Sequence, residues 1–505
     1  MRGLEERRAA RVVSGRQPIG GIDDARHQEE IPLAFLARYF KFAERGTTLP
    51  TELRAGLTTF MVMAYIIFVN PQILSTDTGG NGPAFLPTVV ATCLAAGLMT
   101  LAMGLISNYP FALAAGLGLN AVVAFDLIGS RHMAWQDAMA VIAWEGIIIT
   151  ILVVTGLREA IMRAIPMSLK RSIGVGIGLF ILFIGLSEGG FVKVGAGTPV
   201  TLGDFTQPSI VVFIFGLALG LGLMVRKVKG ALLISIIAST ILAIVINNVM
   251  GTSVIAATGA TKAGFLGGTA VLPDKWFFDF SGNNFSTLFQ PIGHLFSVWT
   301  LKDVPFITVL LVVFSLMLSD FFDTMGTVIG VGEEAGLLDK DGNLPGIGRV
   351  LLVDSVAAIA GGVMSTSSNT TFIESAAGVS EGGRTGLTSI VVGVLFLVAI
   401  LFAPIAGIVP GQATAPALVI VGYLMFTITR EIEWGEMDDL FPAMATMIVM
   451  PLTYSITNGI AAGFVSFIFL KVLHGKSREI HPLLWIVGGM FVLYFAIPWI
   501  QTFIK

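Results

Sequence analysis

The 505-residue chain holds a single cysteine, Cys93. One cysteine in an apolar run excludes a disulfide within the chain and any multi-cysteine metal site. Histidine is nearly as scarce: there are five, none at a paired metal-ligand spacing. Charge is the third shortage. Asp, Glu, Lys and Arg make up 12% of the residues, against roughly 25% in an ordinary soluble domain. The net charge of −3 gives no sign of a nucleic-acid partner. Residues 1–31 are polar and rich in Arg and Glu. No cleavable signal peptide is read there, and the first membrane helix is expected to act as the signal.

What fills the chain instead is apolar. Hydrophobic residues make up 54% of it, and runs of about 20 residues recur along almost the whole length. The 59 glycines suit close helix packing in lipid. The fold class is therefore an all-α polytopic membrane protein, with the lipid bilayer as its surroundings. Spans are read near 55–75, 84–106, 137–157, 172–187, 208–226, 230–249, 303–332, 347–364 and 387–408. Shorter ones follow near 413–429, 440–456 and 459–473. A last run at 483–501 brings the count to about 15 hydrophobic segments, and whether it crosses is left open. Asn70-Pro71 is expected to break the first span. Pro32 to Ala43 reads as a surface amphipathic helix or as a solvated arm. Lys and Arg concentrate in the N-terminal tail, at 158–171, at 226–229 and at 471–478. All four fall on the cytoplasmic side if the N-terminus is inside, in the cell membrane.

Two segments break the pattern. Pro110 to Ile128 is short and rich in small residues, an extended entry followed by a half-helix. The run Ser365-Thr366-Ser367-Ser368-Asn369-Thr370-Thr371 leads into a second half-helix reaching about Val379. Broken hydrophobic segments at matching positions of two halves point to a transporter's midplane site. Third against tenth is an odd offset, so the two enter from opposite sides, as in an inverted repeat.

Acids at membrane depth are functional candidates by default. Asp320 and Asp323 share one helical face. Asp323, Gly326 and Gly330 line up at i, i+3 and i+7, with Thr327 adding a hydroxyl. Glu374 opens the second half-helix, behind Asn369, Thr370 and Thr371, where free N–H groups can hold an acceptor. Asn120, on the first half-helix, either binds a ligand or bridges helices. Glu145 joins the site, or a proton path, or pairs structurally. Asp354 is expected to pair, with Arg349 or a neighbouring helix. Glu381 and Arg384 are expected to pair with each other. Glu333 and Glu334 should be solvated, and 339–343 should form a turn.

Four motifs in order carry a resemblance. They are Thr51-Glu52-Leu53-Arg54-Ala55-Gly56 with Ala64-Tyr65 and Asn70-Pro71, then Gly116-Leu117-Gly118-Leu119-Asn120-Ala121. Asp323-Thr324-Met325-Gly326-Thr327 follows, and then Ser368 to Gly378 with Glu381-Gly382-Gly383-Arg384-Thr385-Gly386. Together they are similar to the AzgA-like purine permeases, a branch of the nucleobase-cation symporters, over about residues 50–475. That resemblance implies 14 segments in two inverted sevens, built into a core and a gate domain. It assigns 1–50 to a cytoplasmic tail, 51–157 and 303–409 to the core, and 158–250 and 410–475 to the gate. An extracellular loop at 251–302 and a C-terminal hydrophobic segment at 476–505 complete the chain. Asp323 and Glu374 map to the family's base-holding carboxylates and Asn120 to its third-segment asparagine. A glutamate followed four residues later by histidine marks the uracil branch. This chain has Asp323 and Thr327 there, which favours purines.

The resemblance implies import of purine bases such as adenine, guanine or hypoxanthine by core–gate rocking. No cofactor is expected; a proton is the coupling ion, with sodium the alternative, and a homodimer is a possible assembly. Purines are planar and edged with N–H donors and ring acceptors. Asp323, Glu374, Asn120, Thr327, Asn369 and Thr371 offer the matching groups, with Phe322 or Phe372 to stack on the ring. Asp323, Glu374 and Glu145 are the candidate proton carriers. An anion transporter of the same architecture is the nearest rival; it would prefer a basic residue, and none occurs at 303–338 or 350–383. An intramembrane aspartyl enzyme is the rival from another class. The nearest sequence to its Gly-x-Gly-Asp motif is Gly330-Val331-Gly332-Glu333, an imperfect match near a helix end.

Overall fold

The computed structural model describes residues 36–504, except 77, 79, 158–163, 196, 251–275, 281–283, 302–303, 341–342 and 433. The start of the tail, part of the basic loop after the fourth span and most of the long loop therefore lie outside the described residues. Ten helices among the described residues are long and apolar enough to cross a membrane. The chain is a multi-pass helical membrane protein.

The first segment is α1 (Leu49–Met63) and α2 (Ile66–Pro71), separated by a turn at Ala64 and Tyr65. Pro71 does not end it. The backbone widens into a π-helical turn over Gln72–Thr76, which accommodates the N–H that proline lacks. The break sits six residues earlier than the proline predicted, at Tyr65. Next come α3 (Phe85–Ser107), the strand β1 (Leu113–Ala115) and the half-helix α4 (Leu117–Ala121). Val122–Ser130 prolongs α4 as a π-helix. Then follow α5 (Trp135–Thr155), α6 (Met167–Glu188), α7 (Pro208–Val225) and α8 (Ala231–Met250).

The second half runs α9 (Phe306–Glu334), α10 (Ile347–Val363), strand β2 (Asn369–Thr371) and half-helix α11 (Ser375–Ser380). It continues with α12 (Gly386–Ala399), α13 (Gly411–Phe426), α14 (Met437–Thr453) and α15 (Ile456–Leu473). Last is α16 (Pro482–Ile504). Its apolar stretch Pro482–Ala496 is shorter than any of the ten spans.

The two broken segments meet. β1 and β2 pair antiparallel, Leu113 opposite Thr371, Ala114 opposite Thr370 and Ala115 opposite Asn369. Each strand supplies the hydrogen bonds that lipid could not give the other. Side chains complete the accounting. Thr100 exchanges hydrogen bonds with both the N–H and the carbonyl of Leu113, at 2.9 and 3.0 Å. Ser375 Oγ accepts from Ala112 N at 3.0 Å. The Ser389 hydroxyl lies 2.8 Å from the carbonyls of Tyr109 and Phe111. The chain reaches β2 through two buried serines in the left-handed region, Ser365 (φ 66°) and Ser367 (φ 67°). A strained backbone of this kind persists only where its surroundings over-determine it.

The most extensive helix contacts fall within two sets. One contains α1, α3, α5, α9, α10, α11 and α12, and the other α6, α7, α8, α13, α14 and α15. Close approach depends on glycine. A Cβ on Gly386 would stand 2.0 Å from the Gly104 carbonyl, so α3 and α12 touch backbone to backbone. Polar capping does comparable work: Glu52 on α1 is fully buried and caps the start of α12. Its oxygens accept from the N–H groups of Arg384 (2.9 Å) and Thr388 (3.2 Å) and from the Thr388 hydroxyl (2.6 Å).

Candidate functional site

Asp323 lies on α9 where that helix passes β2 and α11. Its Oδ2 accepts from Thr370 Oγ1 at 3.3 Å. On the other side of Thr370, Gly116 opens the half-helix α4; a Cβ there would lie 3.1 Å from Thr370 Oγ1. The acid, the strand pair and the first half-helix are thus in one place.

The face of α9 that carries Asp323 is open. Gly326 and Gly330 are exposed, and a Cβ on Gly326 would meet nothing within 4 Å. From Gly330 the nearest atom is Ile373 Cδ1, at 3.9 Å. Ile373 is itself 51% exposed despite its apolar side chain. Glu374 follows it, half-buried, at the N-cap of α11. The Tyr65 hydroxyl donates to Glu374 Oε1 at 2.6 Å. Asp323 and Glu374 therefore border one open groove from two elements, each held by a neighbouring hydroxyl. The free N–H groups expected at the start of α11 are taken: those of Ser375, Ala376 and Ala377 donate to the carbonyls of Phe372, Ile373 and Glu374.

The remaining candidates divide. Asn120 is fully buried on α4, and neither its amide oxygen nor its nitrogen has a hydrogen-bond partner among the described residues. An unpartnered buried amide in a half-helix is costly. Asn369 is buried on β2 with its side-chain nitrogen unpartnered. Thr327 is buried one turn beyond Asp323. Thr371 is engaged elsewhere: its N–H (3.0 Å) and hydroxyl (2.8 Å) both donate to Asp354 Oδ1. Phe372 is buried within the main apolar core, and Phe322 packs partly buried against it.

Sequence reading assigns Tyr65 no role. It expects Asp354 to pair with Arg349 or a neighbouring helix, and the neighbouring helix α9 is the partner found. Asp354 on α10 is fully buried, and its Oδ2 accepts from Thr324 Oγ1 at 2.7 Å. Its partners are hydroxyls and an amide of α9 and β2, not the exposed Arg349. Glu145 on α5 is wholly buried beside Asp354 and Ser368. A row of acids thus runs from the groove into the helix packing: Asp323, Asp354, Glu145. Asp320 is buried one turn before Asp323. At the rim, Glu381 does not pair with Arg384. It bridges Arg54 (3.0 Å) and Lys229, while Arg384 donates to the carbonyls of Val379 (2.6 Å) and Gly383 (2.8 Å). Glu333 and Glu334 are solvent-exposed, and the Asp339–Asn343 turn is closed by two hydrogen bonds.

A helical membrane protein with two broken segments crossed at a groove of acids has the build of a permease. The chain belongs to the Permease family, whose model matches residues 50–462. It is 37% identical to the adenine permease AdeQ of Escherichia coli (strain K12), covering 91% of this chain and 95% of that protein. It is 39% identical to the guanine/hypoxanthine permease PbuO of Bacillus subtilis (strain 168), covering 90% of this chain and 99% of that protein. Its fold is similar to the transmembrane domain of a cyanobacterium bicarbonate transporter, BicA, with a TM-score of 0.53 at 13% identity. That match covers 82% of this chain and 97% of the other.

Proposed function

We propose that this chain imports purine nucleobases, adenine, guanine or hypoxanthine, by proton symport. One observation carries the reading: Asp323 and Glu374, from α9 and the start of α11, border the same open groove beside the crossed strands. Two acceptors set on separate walls suit a flat ligand edged with N–H donors. Asn120 and Asn369, buried with unpartnered amide atoms, offer the complementary donors and acceptors. The relatives named as adenine and guanine/hypoxanthine permeases support the same substrate class. The bicarbonate transporter shares the fold alone, and a groove lined by carboxylates repels an anion.

Proton coupling uses the same acids. Asp323 and Glu374 take up and release protons, and Glu145, at the buried end of the row, extends the path. The two helix sets act as core and gate and rock past each other, with the N-terminus on the cytoplasmic side of the cell membrane.

The test is uptake into proteoliposomes from a panel of radiolabelled bases, with and without a pH gradient. Uptake is expected to follow an inward proton gradient and to be competed by purines but not by uracil or bicarbonate. Asp323→Asn and Glu374→Gln should each reduce uptake by about 100-fold, the loss of a charged hydrogen-bond acceptor to a desolvated ligand. Full uptake by both variants would remove the site assignment. Uptake unaffected by the pH gradient, but driven by sodium, would change the coupling ion.

A further inference from the structure

We propose that Tyr65 is a positioning residue for base recognition, holding the Glu374 carboxylate in its charged, accepting form against the groove. The inference rests on the reading of Glu374 as a base-binding acid.

Tyr65 sits at the only turn within the first segment, between α1 and α2. That turn aims its side chain across to α11. The ring is 1% exposed and lies within the main apolar core. Packing fixes its direction, and the hydroxyl is the one polar atom it delivers. That hydroxyl reaches Glu374 Oε1 at 2.6 Å, within the range of a charge-assisted O–H···O⁻ bond.

A second contact sets the distance between the two elements. Gly378, four residues on from Glu374, lies directly on α1. A Cβ there would stand 2.2 Å from Thr59 Oγ1 and 2.6 Å from the Ala55 carbonyl. The short helix α11 is thus seated on the first segment at Gly378 and tied to it at Glu374. The acid cannot swing to another rotamer without giving up the Tyr65 bond. A carboxyl held in one place presents its free oxygen to a ligand at low entropic cost.

The hydroxyl also acts on charge. A donor to a carboxylate favours the ionised form over the protonated one. Tyr65 therefore favours the form of Glu374 that accepts a base N–H over the form that holds a proton. A phenyl ring of the same shape would fill the space and lose both effects.

The experiment compares wild type, Tyr65→Phe and Glu374→Gln as full chains in proteoliposomes, reading KM, Vmax and the pH midpoint of base uptake. Tyr65→Phe is expected to raise KM about tenfold with Vmax within about twofold, the usual effect of one lost hydrogen bond to a charged group. Its pH midpoint should move up by about one unit. Replacing Tyr65 by difluorotyrosine keeps the volume, strengthens the donor and should move the midpoint down. This second substitution carries the test if Tyr65→Phe fails to accumulate. A Tyr65→Phe protein with wild-type KM and pH midpoint overturns the proposal, even if less of it reaches the membrane. So does a difluorotyrosine protein whose midpoint stays put. Full uptake by Glu374→Gln would instead sink the reading of the base site itself.

Discussion

Asp354 holds more of the site's hydrogen bonds than either acid that faces the groove. One oxygen accepts from Thr324 on α9; the other takes the N–H and the hydroxyl of Thr371 on β2. The residue therefore locks the position of the helix that carries Asp323 and of the strand whose Thr370 binds Asp323. Asp354→Ala would leave three buried donors without an acceptor, a cost of about 3–5 kcal/mol. Thr371→Val would keep the backbone bond and lose only the hydroxyl, about 1 kcal/mol. Thermal unfolding of the purified protein should rank them so, and equal losses would deny Asp354 this role. The partners of Asp354 lie 30 and 17 residues away in the chain, at no helical or strand period. Nothing local could disclose them: the sequence left Arg349 and a neighbouring helix as alternatives, and the neighbouring helix, through Thr324 of α9, is the one found. Asp323 was legible for the opposite reason: Gly326 and Gly330 stand on its own face and mark that face as open. Tyr65 was hidden in a greasy run, where one aromatic looks like any other until its hydroxyl is seen to point at an acid.

The half-helices show what elements add. Their existence followed from small and polar residues at membrane depth, where unbroken helices are the rule. Their pairing did not, since β1 and β2 join residues more than 250 positions apart. The π-helical continuation past Pro71 was equally invisible, because proline reads as an end unless tertiary packing holds the widened turn. Glu52 illustrates the same limit from another side. Its sequence position suggests an ordinary acid in the first turn of α1, and it is in fact the cap of a different helix. Glu52→Ala should strip α12 of that cap and leave buried N–H groups unmet, costing about 2–4 kcal/mol. Gly386→Val should be at least as damaging, because its side chain would enter the Gly104 carbonyl. Both variants are expected to lower the unfolding temperature in detergent, and a Glu52→Ala protein as stable as wild type would show the cap to be dispensable.

Across the whole molecule, the two helix sets meet along a seam that is tied at both ends. At one end Glu381, behind α11, joins Arg54 on α1 to Lys229, which precedes α8. That cluster is solvent-accessible, and exposed ion pairs contribute little. The other end is built differently. Arg131, just past α4, pairs with Asp126 at 2.8 Å and donates to Tyr494 on α16 at 2.8 Å. Ser455, ahead of α15, donates to Asp126 at 2.8 Å, and Tyr494 donates to Asn458 on α15 at 2.9 Å. The C-terminal helix lies across this seam, with Phe491 against Phe314 of α9 and Phe464 of α15. Asp126 is nearly buried, its side chain 4% exposed, so the network is worth more than the rim pair. If the two sets rock past each other, this network has to open once per cycle, and weakening it should favour the form that is open at this end. Thr457, in the first turn of α15, is buried at 1% exposure and can report the change. With Cys93→Ser as background, Thr457→Cys should react slowly with a polar maleimide in nanodiscs. Adding Arg131→Ala should speed labelling at least about tenfold, the effect of roughly 1.4 kcal/mol. Glu381→Ala, at the exposed end, should change it by less than about threefold. Equal labelling rates in all three proteins would mean that the seam is not held shut by Arg131.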